Sequence, residues 1–328
     1  MQISIIIVTW NSAAFLPRCL SSLSAQTFKD FEIVIVDNGS LDDSLTGLEE
    51  AYPQLDLTIE RLETNRGFAP ANNIGSRVGR GQWIAFLNAD AFPSPDWLEQ
   101  LINASHQYPE YVCFSSRQIQ ADNINMLDGE GDAYHLSGMA WRRNYNIPVY
   151  EIYEPVQVFS ACGAAMMVRK QDFLDLGGFD ETYFAYFEDV DLGFRLRLAG
   201  KKTLFVPQSI VYHIGSGSTG RRSDFLMYYQ YRNLIWTFTK NMPPPLLQLF
   251  FPLHIAVLLF FWVATTRRGQ GRIFMKSVFD ALRDLPRVLA QRREIQSQRK
   301  ASYKEIISAM STGVREPFQE FMKRNRVP

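Results

Sequence analysis

Cysteine is scarce in this chain, and its few cysteines lack the spacing of a disulfide framework or a metal cluster. Only Cys19, Cys113 and Cys162 occur among 328 residues, without paired spacing. An excess of either charge is also missing, because 34 basic and 34 acidic side chains balance. A balanced chain gives no reason to expect an extended nucleic-acid surface. The composition therefore indicates a reducing cytoplasm and no nucleic-acid partner.

The first residues lack the features of a secretory signal. The apolar run from Ile3 to Val8 has no basic residue before it and no small-residue cleavage site after it. It is better explained as a buried strand. With 46% hydrophobic residues, the chain can bury one large core or two fused domains.

Short apolar runs alternate with helical patterns near the start of the chain. The predicted strands are 3–8, 32–36, 57–62 and 82–87. Runs that are apolar on both faces are typical of a parallel sheet covered by helices. The pattern predicts a doubly wound α/β fold with its site at the carboxyl ends of the strands. Asp37, Asn65 and Asp90 all lie just after such strands.

The remaining chain shows a mixed pattern that divides it further. A polar stretch at 118–143 predicts an irregular insertion or a lid. A helix is predicted from Glu188 to Ala199, and a strand at 202–212 ends just before His213. Prolines at 243–245 predict a break. The boundaries drawn from these features are 1–115 and 116–240 for two halves of one domain, and 241–328 for a helical tail.

Six short motifs occur in a fixed order along residues 1–240. They are the run 5–11 (IIIVTWN), 36–40 (VDNGS), 65–69 (NRGFA), 88–90 (NAD), 187–192 (FEDVDL) and His213. In this order they resemble the family-two glycosyltransferases with a GT-A fold, and most of all the rhamnosyltransferase-like branch of bacterial surface-polysaccharide synthesis. The resemblance implies a mostly parallel sheet with helices on both faces, followed here by the helical tail. It also implies that 1–115 is the nucleotide-sugar-binding half and that 116–240 is the acceptor-binding and catalytic half of the same domain.

The same resemblance implies a reaction and its substrates. It predicts an inverting transfer of a sugar from a dTDP- or UDP-linked donor to a hydroxyl of a glycan or polyprenyl-linked glycan. L-rhamnose from dTDP-rhamnose is the leading candidate. The residues expected to bind the donor or another substrate group are Thr9, Asn11, Asp37, Asn65, Arg66, Gly67, Asn88, Asp90, Asp191 and Arg221. Asp37 would accept hydrogen bonds from the base or ribose, although it also suits a turn or helix cap.

Two residues are expected to bind a divalent metal, Mg²⁺ or Mn²⁺. A cation bridging the donor diphosphate neutralises its charge as it leaves, and the resemblance assigns Asp90 and His213 to that role. The family usually has acids at both ends of this motif, whereas Asn88 occupies the first position here. The alternatives are a turn-forming aspartate and a packed histidine.

Three acids at the start of one helix are candidates for the catalytic base. Asp191 lies four residues before Arg195, so an ordinary ion pair explains it well. Asp189 projects from the first turn on a different face, and the resemblance makes it the base that deprotonates the acceptor hydroxyl. Glu188 is the second candidate, or it orients the acceptor. Tyr186 and Phe187 are expected near the acceptor.

Three other functions compete with this interpretation. A nucleotidyltransferase would need a glycine- and lysine-rich phosphate loop, which residues 8–12 lack. A polyprenyl-phosphate sugar synthase would use a lipid phosphate as acceptor. A noncatalytic nucleotide-sugar-binding membrane scaffold would show no donor turnover.

The tail is predicted to lie on the membrane. Residues 246–266 are uncharged and long enough to span a bilayer, but many basic residues follow them, which opposes a crossing to the outside. We therefore predict an in-plane or re-entrant segment on the cytoplasmic face, with the amphipathic pattern of Val278, Leu282, Leu285 and Leu289 on the anionic leaflet. The alternative is a helical hairpin packed on the catalytic domain or on a second copy, as in a homo-oligomer.

Overall fold

The structure is a computed structural model that describes residues 1–215, 223–313, 315–316 and 318–320. Its strands are β1 (Ile3–Thr9), β2 (Phe31–Asp37), β3 (Leu57–Arg61), β4 (Trp83–Leu87), β5 (Ala91–Pro93), β6 (Tyr111–Gln120), β7 (Leu127–Gly129), β8 (Asp132–Tyr134), β9 (Ala140–Arg142), β10 (Val156–Val158), β11 (Ala165–Arg169) and β12 (Lys202–His213). Its helices are α1 (Leu16–Ser24), α2 (Leu48–Ala51), α3 (Phe68–Val78), α4 (Trp97–Gln107), α5 (Lys170–Asp175), α6 (Glu188–Leu198), α7 (Asp224–Asn241), α8 (Pro244–Thr266), α9 (Gly271–Arg283), α10 (Leu285–Ser297) and α11 (Tyr303–Ser308). A short 3-10 helix covers Glu181–Tyr183.

The central sheet has the order β10-β12-β6-β11-β4-β1-β2-β3. The neighbours β3, β2, β1 and β4 run parallel, as do β6 and β12. Only β11 and β10 run antiparallel to their neighbours along this path. The predicted α/β fold with a mostly parallel sheet is therefore confirmed.

Alternate residues of β1 show how the sheet acquires two hydrophobic faces. Ile5 and Ile7 pack with residues of α1 and α4, whereas Ile6 packs with residues of α3, α5 and α6. Successive side chains of a strand point to opposite faces, so a continuous apolar run is needed when both faces are covered. Because both faces are covered, access to the sheet is left to the ends of its strands.

The polar stretch at 118–143 differs from the expected irregular insertion. It contains β7, which pairs with β6, and the β8–β9 pair. Two of its acids are buried in ion pairs, Glu130 with the preceding Arg117 and Asp128 with Arg142. Since these charges are paired inside the fold, charged residues occupy buried strand positions that apolar residues would otherwise hold. The hydrophobic periodicity that normally marks strands is therefore missing from this stretch.

The C-terminal helices α8 and α10 share one hydrophobic cluster with α6 and α7. Phe194 of α6, Trp236 of α7, Phe261 of α8 and Val288 of α10 belong to it. The break predicted at the prolines is confirmed, because α7 ends at Asn241 and α8 begins at Pro244.

Candidate active site

A cavity of about 850 Å³ opens at the carboxyl ends of the central strands. One side of it, here called the strand-end wall, contains Asn11, Asn38, Asn65, Asn88, Asp90 and His213. A second set of lining residues, here called the helical wall, contains Trp141, Tyr186, Phe187, Asp189, Tyr231 and Phe261. The cavity thus combines polar groups with a largely aromatic surface, an arrangement suited to a ligand with a charged part and a ring.

Asp90 and His213 meet because two strands bring them together. The short strand β5 follows Asp90 at once and pairs antiparallel with the end of β12, with Ala91 opposite His213. The Asp90 Oδ1 atom lies 3.3 Å from His213 Nε2. Asn88 Nδ2 lies 3.4 Å from the same ring nitrogen. The predicted metal-binding pair is therefore adjacent in space, although 123 positions separate it in the chain, as the residue numbers show.

The second ring nitrogen of His213 contacts a residue that sequence reasoning missed. Asp128 Oδ2 lies 2.7 Å from His213 Nδ1. Burial disfavours the charged imidazole, but hydrogen bonds to Asp128 and Asp90 outweigh it and raise the pKa of His213 to about 9. Burial also opposes the ionised carboxyl of Asp90, yet His213 lowers the pKa of Asp90 below its ordinary value. The three side chains form one charged unit.

Arg142 completes this unit from β9. It forms an ion pair with Asp128 and lines the cavity. Burial works against the Asp128 charge, but Arg142 and His213 lower the pKa of that carboxyl well below its ordinary range. A signal for Asp128 was present in the sequence, since acids at 128, 130 and 132 alternate as the residues on one face of a strand do. No motif pointed to Arg142.

Asp189 stands in the first turn of α6 with its carboxylate held by two backbone groups. Gly163 N and Val190 N each donate to it at 2.8 Å. Burial raises the pKa of Asp189, and these hydrogen bonds act in the opposite direction. A carboxylate that is fixed by donors and has a raised pKa is a better proton acceptor than an exposed one.

Glu188 lines the same cavity but is in a different state. Burial, and then the charge of Asp189, raise the pKa of Glu188 well above its ordinary value. One of its carboxyl oxygens has no hydrogen-bond partner among the described residues. Two adjacent buried acids cannot easily carry charge together, and the pKa of Glu188 is raised more strongly than that of Asp189.

Asn38 connects the end of β2 to the loop at 65–67 through hydrogen bonds, a role that the sequence did not reveal. Its Nδ2 donates to Asn65 Oδ1 at 3.0 Å and to the carbonyl of Gly67 at 3.1 Å. Its Oδ1 accepts from Arg66 N at 2.8 Å. The cavity-facing residues of this loop, Asn65 and Gly67, are thereby fixed to the end of β2. In the sequence, Asn38 indicated only a tight turn.

Several predicted substrate contacts do not line the cavity. Thr9 and Asp37 are buried at the ends of β1 and β2, and Asp37 accepts a hydrogen bond from Ser40 N at 3.2 Å, as a turn-capping aspartate does. Arg66 is exposed, and its described hydrogen bond is made by the backbone nitrogen. Arg221 lies outside the described residues.

Asp191 requires a correction. It is fully buried, with Oδ2 2.7 Å from Arg195 Nε and Oδ1 2.8 Å from Lys240 Nζ. Two cations satisfy its charge inside the fold, and it does not line the cavity. Asp191 is therefore a structural ion-pair residue and not a substrate contact.

Comparison with known proteins gives the family of this chain. Residues 4–177 match the family model described as glycosyl transferase family 2. Over 239 residues the chain is 30% identical to N-acetylglucosaminyl-diphospho-decaprenol L-rhamnosyltransferase of Mycobacterium tuberculosis, which covers 66% of this chain and 77% of that protein.

Two solved structures show the same fold at low sequence identity. S. aureus TarS 1-349 in complex with UDP-GlcNAc has a TM-score of 0.60 at 17% identity, covering 98% of this chain and 92% of that one. The mannosyltransferase PcManGT from Pyrobaculum calidifontis, in complex with GDP-Man and Mn²⁺, has a TM-score of 0.54 at 16% identity, covering 94% and 85%. With a GT-A fold and a family match over more than half of its length, the chain belongs to glycosyl transferase family 2 and is a nucleotide-sugar glycosyltransferase.

Proposed function

We propose that this protein is an inverting, metal-dependent glycosyltransferase that moves L-rhamnose from dTDP-rhamnose to a hydroxyl of a polyprenyl-linked glycan. The observation that carries the proposal is that the Asp90–His213 pair and Asp189 line the same cavity. This arrangement suits a donor diphosphate on the strand-end wall and an acceptor on the helical wall. The sugar and the acceptor follow the activity for which the mycobacterial relative is named.

The donor is proposed to lie along the strand-end wall. Asn11, Asn65 and Asn88 offer amide groups there, which can donate to and accept from ribose and base atoms. The backbone nitrogen of Asn11 donates a hydrogen bond to Ser40 Oγ at 2.9 Å, which holds Asn11 in place. Asp37 shapes the turn at 37–40 by accepting the hydrogen bond of Ser40 N.

The residues present fit a divalent cation, Mg²⁺ or Mn²⁺. Asp90 and His213 supply one oxygen and one nitrogen, and Asp128 orients the imidazole through its other nitrogen, as carboxylates behind metal-bound histidines do. Within the described part of the chain no group of three or more His, Cys, Asp or Glu side chains is clustered for a metal. Diphosphate oxygens and water would complete the shell. When bound, the ion would neutralise charge on the leaving diphosphate.

Asp189 is proposed as the general base. Its carboxylate would accept the proton of the acceptor hydroxyl as the hydroxyl oxygen attacks the anomeric carbon and the bond to the diphosphate breaks. A single displacement of this kind inverts the configuration at that carbon. Glu188, held protonated beside it, would donate a hydrogen bond to the acceptor sugar.

The helical wall supports a ring-bearing acceptor with an apolar extension. Trp141, Tyr186 and Phe187 line the cavity near Asp189 and present flat faces on which sugar rings stack. Farther out, Phe261 of α8 and Arg268 also line it. The cavity thus extends from the catalytic carboxylates to the helix whose outer face is apolar.

We further propose that α8 and α9 lie in the plane of the cytoplasmic leaflet. Among the described helices, α8 alone is long and apolar enough to cross a membrane by length and composition. Large apolar side chains on its outer face are exposed, and so are several on α9: Leu249, Phe251, Leu259 and Trp262, then Met275, Phe279 and Leu282. Arg272, Lys276 and Arg283 interleave with the second group, which favours anionic lipid.

The path of the chain after α8 supports an in-plane arrangement over a crossing. Helices α9 and α10 pack against α7. Lys300 N donates to Leu198 O of α6 at 2.8 Å, and Ser311 N donates to Tyr134 O of β8 at 2.8 Å. A crossing at α8 would separate parts of one packed cluster onto opposite sides of the bilayer.

A donor screen followed by an acceptor screen tests the proposed function. Purified protein is incubated with dTDP-rhamnose, UDP-sugars and GDP-mannose, with and without Mn²⁺ or Mg²⁺, and donor hydrolysis is measured. The expected donor is dTDP-rhamnose, and the expected acceptor is a polyprenyl-diphosphate-linked sugar. Transfer to polyprenyl phosphate alone would instead identify a polyprenyl-phosphate sugar synthase. Donor binding without turnover under any condition would identify a noncatalytic scaffold.

A further inference from the structure

The segment just before α6 has an unusual backbone. Phe184 has φ 65° and ψ −59°, and Ala185 N donates to Tyr183 O across it at 2.8 Å, which makes a tight three-residue turn. Tyr186 and Phe187 follow with φ of 67° and 71°. Aromatic residues rarely adopt positive φ, and such conformations persist only when surrounding contacts hold them.

One buried side chain of α7 binds the carbonyl groups of this segment. Asn233 is fully buried, and its Nδ2 lies 3.1 Å from Tyr183 O, 2.9 Å from Ala185 O and 2.7 Å from Tyr186 O. Its Oδ1 accepts from Arg232 Nε at 3.0 Å. That bond fixes which end of the amide faces the segment, so the nitrogen, with its two hydrogens, is the end that donates among the three carbonyls.

Neighbours of Asn233 on α7 add to this support. A guanidinium nitrogen of Arg232 donates to Tyr183 O at 3.0 Å and to Thr182 O at 3.1 Å. The ring of Tyr229 stacks on Phe184 with 5.1 Å between centroids. Residues of α7 therefore hold the strained turn in two ways, through the backbone carbonyls of the turn and through the side chain of Phe184.

The same segment joins the two walls of the cavity. On one side, Phe184 O accepts from Phe68 N at 2.6 Å, and a Cβ on Gly67 would lie 2.6 Å from that oxygen. On the other side, Phe187 caps α6, with its carbonyl accepting from Asp191 N at 2.8 Å. If the tight turn at 183–187 relaxed, the first turn of α6, which carries Asp189, would move relative to the loop at 65–67.

We propose that Asn233 is a positioning residue for glycosyl transfer, and that it acts by holding the turn at 183–187 in the conformation that aims Asp189 at the acceptor. Asn233 does not line the cavity, so it acts through the turn. The inference rests on the proposed role of Asp189 as the base.

The test is Asn233→Asp, which keeps the size and the acceptor for Arg232 but replaces the donor by an oxygen facing three carbonyl oxygens. We expect kcat to fall about a hundredfold, as a misplaced base would cause, with donor affinity unchanged and the pH profile of kcat displaced. Val288→Ala is the matched control, because it removes buried volume from the same hydrophobic cluster without touching the turn. If Asn233→Asp fails to fold, Asn233→Ser, which keeps a shorter donor, is measured instead.

Two outcomes would overturn the inference. One is a kcat and pH profile equal to those of Val288→Ala at matched thermal stability. The other is a loss confined to donor affinity. Asp189→Asn, measured in parallel, separates this inference from the proposed function: if Asp189→Asn keeps normal transfer, the base assignment fails whatever Asn233 does. If Asp189→Asn is inactive and Asn233→Asp is normal, only the positioning role fails.

Discussion

On the strand-end wall, Asn11, Asn88 and Asp90 stand within three residues of the ends of β1 and β4. On the helical wall, Trp141, Tyr231 and Phe261 come from a short hairpin, from α7 and from α8. The first set owes its place to the local geometry of a parallel sheet, whose strand ends share one edge. The second set owes its place to packing between elements far apart in the chain. The two walls therefore differ in how directly sequence specifies them, and in what mutations should reveal.

The largest effect is expected on the strand-end wall, from removing the metal. Excess chelator should abolish turnover, and Mn²⁺ or Mg²⁺ should restore it, because the leaving diphosphate needs charge neutralisation. Asp90→Ala should weaken donor binding in the presence of metal, measured by calorimetric titration. The exposed Asp43→Ala serves as the control. Full activity in excess chelator would contradict the proposed metal dependence of transfer.

The second effect belongs to the helical wall and concerns the base. Asp189→Asn should lower kcat by about 10²–10⁴-fold, the range of general-base catalysis, while donor binding measured by titration stays the same. Glu188→Gln is the matched comparison, since it neutralises a residue that we expect to be protonated already and should cost less. A larger loss for Glu188→Gln than for Asp189→Asn would reverse the two assignments.

The third effect tests how the helical wall is held in place. Lys240 is almost fully buried, with Nζ 2.6 Å from Asp180 Oδ2 and 2.8 Å from Asp191 Oδ1. Lys240→Met should lower the free energy of unfolding by about 3 to 5 kcal/mol, because it leaves buried carboxylates without their cation. Urea denaturation measures this. Lys29→Met changes an exposed lysine and should be nearly neutral; equal losses would contradict the prediction.

The smallest effect is expected at the outer face of the tail. Phe279→Glu should weaken binding to vesicles containing anionic lipid about tenfold, because a large apolar side chain no longer enters the interface. Co-sedimentation at low and high salt measures it. Ile124→Glu is the control, since Ile124 and Phe279 are 63% and 65% exposed. If the protein does not bind vesicles but forms dimers that Phe279→Glu weakens, the partner of this face is a second copy of the chain.

The match between prediction and structure follows the same division. Continuous apolar runs predicted β1, β2 and β4 with no end displaced by more than one residue, because burial on both faces leaves a strong local pattern. The stretch at 118–143 was not recognised as strands, because its charges are neutralised by partners such as Arg117 and Glu130 that only the fold brings together. Asp191 showed the opposite failure. Its acidic motif resembles a substrate contact, but Lys240 arrives from α7 to neutralise it.

The sequence by itself determined the family and the α/β sheet and selected Asp90 and Asp189 as candidate site residues, since these depend on short motifs and on strand periodicity. The tertiary structure alone decided that Asp128 and Arg142 stand behind His213, that burial beside Asp189 raises the pKa of Glu188, and that Asn233 holds the turn before α6. The physical reason is that a charge, a pKa or a strained backbone conformation depends on every group within a few ångströms. Most of those groups are distant in the chain.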